Sequence, residues 1–184
     1  MRIIAGSRRG ARLHTGKAEG FRPTSDRVRE AIFAVLGDEV VGRLVLDLYA
    51  GSGALGFEAL SRGAAHALFV EKNRAPAGWI ERNGRALRFE GAFRVVRGDA
   101  ILFLNRRPEA AACDLVFADP PYGAGLVSRT LAALSALPGS RRVVVERDKR
   151  EARGEAGIPW REAGAYGDTV VEYLLFGEAK EEGR

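Results

Sequence analysis

The fold of this chain is decided by residues 44–56, which read LVLDLYAGSGALG. An apolar run that is interrupted only by Asp47 leads into a glycine-rich loop, and a helical pattern follows the loop directly. Gly51, Gly53 and Gly56 have the spacing G-x-G-x-x-G, which lets the backbone approach a bound nucleoside closely. The stretch therefore predicts the first strand, loop and helix of an α/β nucleoside-binding domain.

The rest of the chain continues this strand and helix alternation. Strands are predicted at Leu44–Tyr49, Ala67–Glu71, Phe93–Arg97, Leu115–Ala118, Val143–Glu146, Trp160–Tyr166 and Thr169–Phe176, and helices at Ser25–Leu36, Ala54–Arg62, Ala75–Leu87, Ala100–Arg106 and Leu126–Leu137. Such alternation is typical of a parallel sheet with helices on both faces. The last two runs are joined by a turn alone, which adds an antiparallel strand. We expect an α/β, Rossmann-like fold with a seven-stranded, mostly parallel sheet.

A separate pattern precedes this alternation at the N-terminus. Short runs at residues 2–5 and 11–15 flank a glycine-bounded turn, which predicts a β-hairpin. Residues 1–20 are therefore interpreted as a hairpin arm and residues 21–177 as the α/β domain. Residues 178–184 form a charged tail.

Positive charge is concentrated in the same N-terminal region. The net charge is +5, yet residues 1–29 hold eight basic and two acidic residues, a net +6, so the remainder sums to −1. A basic segment on a near-neutral body is typical of contact with a polyanion, although a solvated arginine-rich face would look the same. The residues expected to contact such a partner are Arg2, Arg8, Arg9, Arg12 and Arg22.

Composition excludes several classes of protein. A chain of 184 residues is long enough for one domain with a full core. It has no apolar run near the roughly 18 residues that span a bilayer, and no long apolar stretch typical of a secretory signal. Its single cysteine, Cys113, cannot form an internal disulfide or a zinc cluster. We expect a cytoplasmic protein without metal.

Two carboxylates flank the glycine loop. Glu71 ends the second predicted strand, 20 residues after Gly51, where an acid binds ribose hydroxyls. Asp47 lies inside the first strand, where it would repel a pyrophosphate but attract an ammonium or sulfonium group. A nicotinamide-dependent dehydrogenase therefore accounts for the glycines and Glu71 but leaves Asp47 unexplained.

A second motif, Asp119-Pro120-Pro121-Tyr122, directly follows the fourth predicted strand. The two prolines fix the backbone and remove two amide donors, so acceptors remain beside an aromatic ring. This combination suits a flat group with N–H donors, such as the exocyclic amine of a base, while a rigid turn is the simpler alternative. Ligands bind beyond the carboxyl ends of parallel strands, so both motifs are expected at one site.

The two motifs together resemble those of S-adenosylmethionine-dependent amino methyltransferases. Within that class, Met1–Ile4 with Gly6 and Gly10, then residues 22–31 (RPTSDRVREA) and 60–64 (LSRGA), resemble the RsmD family over roughly residues 1–177. That family methylates the 2-amino group of a guanine in bacterial 16S ribosomal RNA, at the position called 966. Tyr49 stands where the family pattern has phenylalanine.

The resemblance implies a class I methyltransferase and a role for each matched residue. Asp119 and the Pro120 carbonyl would bind the target amine, and Tyr122 would stack on the flipped base. The residues implied to bind S-adenosylmethionine are Thr24, Asp47, Ala50, Gly51, Ser52, Gly53, Glu71, Lys72, Asp99 and Ala100. The implied partner is 16S rRNA, either free or within an assembled small ribosomal subunit, and we expect a monomer.

Other functions share some of these features. An amino methyltransferase acting on another RNA or on DNA adenine has both motifs, although a DNA enzyme normally needs a target-recognition domain, for which 184 residues leave no room. A non-catalytic ribosome-assembly protein accounts for the basic arm but not for the glycine loop.

Overall fold

A computed structural model describes residues 1–16, 25–123, 125–151 and 160–177. The helices are α1 (Asp26–Leu36), α2 (Ala54–Ser61), α3 (Arg74–Ala86), α4 (Ala100–Arg106) and α5 (Leu126–Ser135). The strands are β1 (Leu44–Leu48), β2 (His66–Glu71), β3 (Phe93–Arg97), β4 (Leu115–Ala118), β5 (Arg141–Asp148), β6 (Trp160–Tyr166) and β7 (Thr169–Phe176). The predicted order of strands and helices is confirmed, with bounds that shift by up to a few residues.

The strands form one sheet in the order β3-β2-β1-β4-β5-β7-β6. The first five of these pair in parallel, while β7 runs antiparallel to both β5 and β6. The seven-stranded, mostly parallel sheet with an antiparallel C-terminal strand is therefore confirmed. The strand order reverses between β1 and β4, so these neighbours form the switch point where such folds bind ligands.

Apolar side chains cover both faces of the sheet. One core cluster joins α1, α2 and α3 to the sheet and includes Ile32, Phe57 and Ile80. The other cluster joins α4 and α5 to the opposite face and includes Phe103 and Leu131. Because both faces of the sheet are buried, the central strands are apolar along almost their whole length. A charged residue inside such a strand, such as Asp47 in β1, therefore indicates a functional site.

Local chemistry explains where the helices at the site begin and end. Ser25 caps α1, since its hydroxyl accepts a hydrogen bond from the Val28 amide at 3.2 Å, and Gly37 ends the helix at a φ of 50°. In α2, a Cβ on Gly56 would lie 2.3 Å from the Phe69 ring. The third glycine of the loop motif therefore permits close packing of α2 on β2.

The predicted hairpin at residues 2–5 and 11–15 forms over a shorter stretch than expected. An antiparallel bridge between Arg2 and Arg12 is flanked by two backbone hydrogen bonds, from the Ile3 amide to the Ala11 carbonyl at 2.9 Å and from the Leu13 amide to the Met1 carbonyl at 3.2 Å. A 3-10 turn at Gly6–Arg8 follows the first run. The amides of Ile4 and Ala5 face α2, where the buried Glu58 accepts them at 2.8 and 3.0 Å.

The N-terminal segment is packed onto the domain over residues 1–16. Ile3 and Leu13 belong to the main core cluster. The buried side chain of Asn83 in α3 accepts the His14 amide at 2.6 Å and donates to the His14 carbonyl at 3.0 Å. A Cβ on Gly6 would overlap the Ser61 carbonyl, so this contact with α2 requires glycine.

Some predictions fall outside the described residues. They concern Arg22 and Thr24, together with the tail at 178–184. The domain boundaries after residues 20 and 177 therefore stay predictions. Within the described ranges, no helix has the length and apolar character needed to cross a membrane.

Candidate active site

A cavity of about 680 Å³ opens beyond the carboxyl ends of β1, β2, β4 and β5. It brings together most of the residues singled out in the sequence: Asp47, Ala50, Gly51, Ser52, Glu71, Lys72, Asp99, Ala100, Asp119, Pro120 and Tyr122. Gly53 does not line it but takes a φ of 79° at the start of α2. Thr24 lies outside the described residues. The cofactor loop and the Asp-Pro-Pro-Tyr turn therefore share one cavity.

Asp47 is the most unusual of these residues because it is an acid inside a central strand. Its side chain is only 3% exposed, and its carboxylate accepts the Gly56 amide at 2.9 Å. Burial raises the pKa of this carboxyl well above its ordinary value, and the nearby charges of Asp119 and Glu71 raise it further. The site therefore favours a cation beside Asp47.

Glu71 shapes the glycine loop as well as lining the cavity. Its two carboxylate oxygens accept the amides of Gly51 at 2.9 Å and Asn73 at 2.7 Å. The acid at the end of β2 thus joins the first loop to the start of α3. Each oxygen retains acceptor capacity, so the expected contact with ribose hydroxyls stays a prediction.

Asp99 has a structural function that the sequence analysis did not assign. One of its oxygens caps α4 by accepting the amides of Ile101 and Leu102 at 3.0 and 3.1 Å. The other lies 3.8 Å from the Lys72 ammonium. Capping fixes the carboxylate at the cavity wall, and its expected contact with an adenine amine stays a prediction.

The turn after β4 places acceptors and a ring at the switch point. Leu48 of β1 pairs with Ala118 of β4, so Asp119 emerges directly beside the glycine loop. Pro120 is buried and Tyr122 is half-buried. The Tyr122 hydroxyl lies 3.2 Å from Thr169 Oγ1 of β7, a contact that helps to fix the ring plane.

Tyr49, which stands where the family pattern has phenylalanine, is part of an intact glycine loop. It has a φ of 57°, which is uncommon for a residue with a side chain. Its hydroxyl lies 2.8 Å from Thr130 Oγ1 of α5. The added hydroxyl therefore joins the loop to the opposite helical layer.

Several residues of the cavity were not predicted from the sequence. Met1, Ser25 and Val28 contribute from the N-terminal segment and α1, and Glu146, Tyr166 and Thr169 contribute from β5–β7. Glu146 follows the apolar run at residues 143–145, as Glu71 follows the apolar run at residues 67–70. An acid directly after an apolar run could therefore have predicted Glu146 as a residue of the site. The N-terminal residues carry no comparable signal.

Of the predicted RNA-contacting arginines, Arg2, Arg8, Arg9 and Arg12 lie among the described residues, and none of these four lines the cavity. Arg8 is half-buried, with its Nε donating to the Leu87 carbonyl at 2.6 Å and its guanidinium 5.1 Å from the centre of the Phe89 ring. Arg2, Arg9 and Arg12 are exposed.

Over the described ranges, no group of three or more histidine, cysteine or acidic residues could hold a metal ion.

Comparison with known proteins identifies the family. The family model described as conserved hypothetical protein 95 matches residues 1–174. The chain is 43% identical over 131 residues to ribosomal RNA small subunit methyltransferase D of Escherichia coli K12. The chain belongs to the RsmD family. The match covers 71% of this chain and 65% of the E. coli relative, so the chain spans about two thirds of that protein's length.

Solved structures of methyltransferases have the same fold as this chain. A candidate methyltransferase from E. coli, 35% identical, superposes with a TM-score of 0.82 and covers 96% of this chain and 97% of its own. An RNA methyltransferase from Salinibacter ruber in complex with S-adenosyl-L-homocysteine has a TM-score of 0.66 at 16% identity, covering 88% and 98%. The latter likeness concerns the fold, which is the class I methyltransferase fold.

Proposed function

We propose that this RsmD-family chain transfers a methyl group from S-adenosylmethionine to the 2-amino group of a guanine in small-subunit ribosomal RNA. The observation that carries the proposal is that Asp47 and Asp119, on neighbouring strands, line one cavity. One carboxylate suits a cationic cofactor and the other suits the amine that accepts its methyl group.

The lining of the cavity fits the cofactor. Among the described residues that line it, five are acids and one is basic: Asp47, Glu71, Asp99, Asp119 and Glu146 against Lys72. Such a wall favours a ligand with ammonium and sulfonium charges and disfavours the pyrophosphate of a dinucleotide. The nicotinamide alternative is therefore weaker than it was on the glycine spacing alone.

When bound, S-adenosylmethionine supplies a methyl group whose carbon–sulfur bond breaks as the amine nitrogen forms its new bond. Asp119 and the Pro120 carbonyl accept hydrogen bonds from the amine, which exposes its lone pair. Asp119 also stabilises the positive charge that develops on nitrogen and takes up the proton that leaves. Tyr122 holds the base plane, so much of the acceleration comes from positioning.

The names of the relatives and the surface charge support an RNA substrate. The E. coli relative is named a ribosomal RNA small subunit methyltransferase. Exposed Arg2, Arg9 and Arg12 lie in the segment that brings Met1 to the cavity. An RNA backbone on this segment would lie close to the cavity opening. The choice of free RNA or assembled subunit, the monomeric state and a cytoplasmic location stay predictions.

The test is transfer of labelled methyl from S-adenosylmethionine to a 16S rRNA fragment and to assembled small subunits, followed by nucleoside analysis. We expect the label on N2-methylguanosine. Asp119→Ala should abolish transfer while S-adenosylhomocysteine affinity stays within a few-fold, and Asp38→Ala, an exposed acid, should leave both unchanged. Label on methyladenosine, or full activity of Asp119→Ala, would contradict the proposal.

A further inference from the structure

One carboxylate of the cavity has no part in the transfer described above. Glu146 lies near the end of β5, its side chain is 3% exposed, and it lines the cavity with Tyr166 and Thr169. It belongs to neither the glycine loop nor the Asp-Pro-Pro-Tyr turn. Its place in the sheet indicates what it faces.

The strand register places Glu146 beside Asp119. Ala118 of β4 pairs with Val145 of β5 in a parallel ladder, so Asp119 and Glu146 are the next residues on the two strands. Phe117 and Val144 point into the same core cluster, and side chains alternate along a strand, so Asp119 and Glu146 leave the sheet on that face. Neighbouring strands lie about 4.8 Å apart. The register therefore makes Asp119 and Glu146 neighbouring residues in the wall of the cavity.

This pair matches the donor pattern of guanine. The edge of guanine that carries the 2-amino group also carries N1–H, so two donors lie next to each other. In adenine and cytosine, the ring nitrogen beside the exocyclic amine is an acceptor. A flipped base is read on this edge by hydrogen bonds from the pocket.

We propose that Glu146 accepts the N1–H of the target guanine while Asp119 and the Pro120 carbonyl accept from its 2-amino group. The inference rests on the proposed function and deepens it. The Asp-Pro-Pro-Tyr turn by itself accepts from any exocyclic amine, whereas Glu146 selects a base with a second donor beside that amine. Adenine N1 or cytosine N3 would instead meet the carboxylate acceptor to acceptor, which a site built for a donor rejects strongly.

The first arm of the test needs only the wild-type protein. Two RNAs are compared that differ solely in the target base, guanine in one and 2,6-diaminopurine in the other. The analogue keeps the 2-amino group but has an acceptor at N1. We expect kcat/KM for guanine to exceed that for the analogue by about tenfold or more, the size of a good base contact.

The second arm uses Glu146→Gln, whose amide can donate to N1 of the analogue. We expect kcat/KM for guanine to fall about tenfold or more, and the preference for guanine over 2,6-diaminopurine to shrink or reverse. The affinity for S-adenosylhomocysteine and the Tm should stay near the wild-type values. Glu90→Gln, an exposed acid, serves as the matched control and should change neither substrate.

The outcomes separate this inference from the function on which it rests. If the wild type methylates guanine and the analogue equally, or Glu146→Gln slows both by the same factor, Glu146 does not read N1 and the inference is wrong while the proposed function stands. If the wild type methylates neither RNA, the proposed function fails and the inference fails with it. Should Glu146→Gln not fold, the wild-type comparison decides alone.

Discussion

At the scale of single residues, Asp47 lowers the stability of the free protein. Its carboxyl is buried in a central strand near Asp119 and Glu71, and its pKa is raised, chiefly by burial. A raised pKa in the folded state means that folding favours the protonated form. The buried carboxyl therefore lowers the stability of the free protein at every pH above its ordinary pKa, and the loss grows until the pH passes the raised pKa.

Replacing the Asp47 carboxylate tests whether it lowers the stability of the free protein while it strengthens cofactor binding. Asp47→Asn should raise the Tm of the free protein at pH 7, and the gain should vanish below about pH 4, where the wild-type carboxyl is protonated in both states. Affinity for S-adenosylhomocysteine should fall by about tenfold or more, because a hydrogen bond to a charged group is lost. Melting curves across pH and calorimetry measure the two effects. A lower Tm at pH 7 together with unchanged affinity would refute this account.

We expect the ring of Tyr122 to contribute more to turnover and RNA affinity than its hydroxyl does. Tyr122→Ala removes stacking of about 1–3 kcal/mol, so turnover and RNA affinity should fall while cofactor affinity stays constant. Tyr122→Phe keeps the ring and loses the contact with Thr169 Oγ1, of about 0.5–1.5 kcal/mol, and should have a much smaller effect. Thr169→Val removes the same contact from the other side and should match Tyr122→Phe. An equal loss in Tyr122→Phe and Tyr122→Ala would show that the hydroxyl matters more than the ring.

At the scale of elements, Glu58 is one of the two side chains of α2 that bond to the N-terminal segment, the other being Ser61. Glu58 is fully buried, accepts the amides of Ile4 and Ala5, and pairs with Arg62 Nε at 2.8 Å. Its removal would leave two backbone amides and a guanidinium without this acceptor. The contact therefore helps, together with Ile3 and Leu13 in the core, to hold residues 1–16 on the domain and Met1 at the cavity.

We expect Glu58→Ala to lower the free energy of unfolding by about 2–4 kcal/mol. The amides of Ile4 and Ala5 should also exchange with solvent faster, because they lose their acceptor. The control is Glu81→Ala, which removes an exposed ion pair with Arg85 at the same i,i+4 spacing and should change stability by less than about 0.5 kcal/mol. Denaturant unfolding and hydrogen exchange measure both effects. Equal losses in the two variants would rule out the anchoring function of Glu58.

At the scale of the whole molecule, positive charge lies on the outer surface of the N-terminal segment and negative charge lies in the cavity wall. The N-terminal segment presents exposed arginines, whereas the cavity wall is acidic. A polyanion would bind the outer face, while the cationic cofactor and the base amine enter the acidic interior. Arg8 stands apart from this pattern because its guanidinium is held by Leu87 and Phe89.

The salt dependence of RNA binding separates these arginines. Each phosphate contact adds about 0.7–0.9 to the slope of log affinity against log salt, so Arg9→Ala with Arg12→Ala should lower the slope by about 1.4–1.8. Arg8→Ala should instead lower the Tm. The double variant of Arg106 and Arg107, exposed at the end of α4 on the opposite face, removes the same charge and should leave the slope unchanged. If both double variants lower the slope equally, the segment is not the RNA-binding surface.

The succession of strands and helices along the chain and the positions of the two main motifs could be predicted from the sequence. Strand and helix periods are local properties, and the glycines at 51, 53 and 56 mark a loop whose backbone geometry other residues resist. Asp47 was recognisable because an acid interrupts an apolar run. The Asp-Pro-Pro-Tyr turn was recognisable because prolines constrain any backbone that contains them.

Tertiary structure alone decided how the N-terminal segment pairs, what closes the cavity and which carboxylates stand together. Beyond the bridge between Arg2 and Arg12, the amides of Ile4 and Ala5 are accepted by Glu58, which lies more than fifty positions away in the sequence. Met1 reaches the cavity only because Ile3 and Leu13 pack on the same core as α2. Asp119 and Glu146 are neighbours because β4 and β5 pair in parallel. Such contacts depend on the register between distant segments, and a local pattern carries no information about that register.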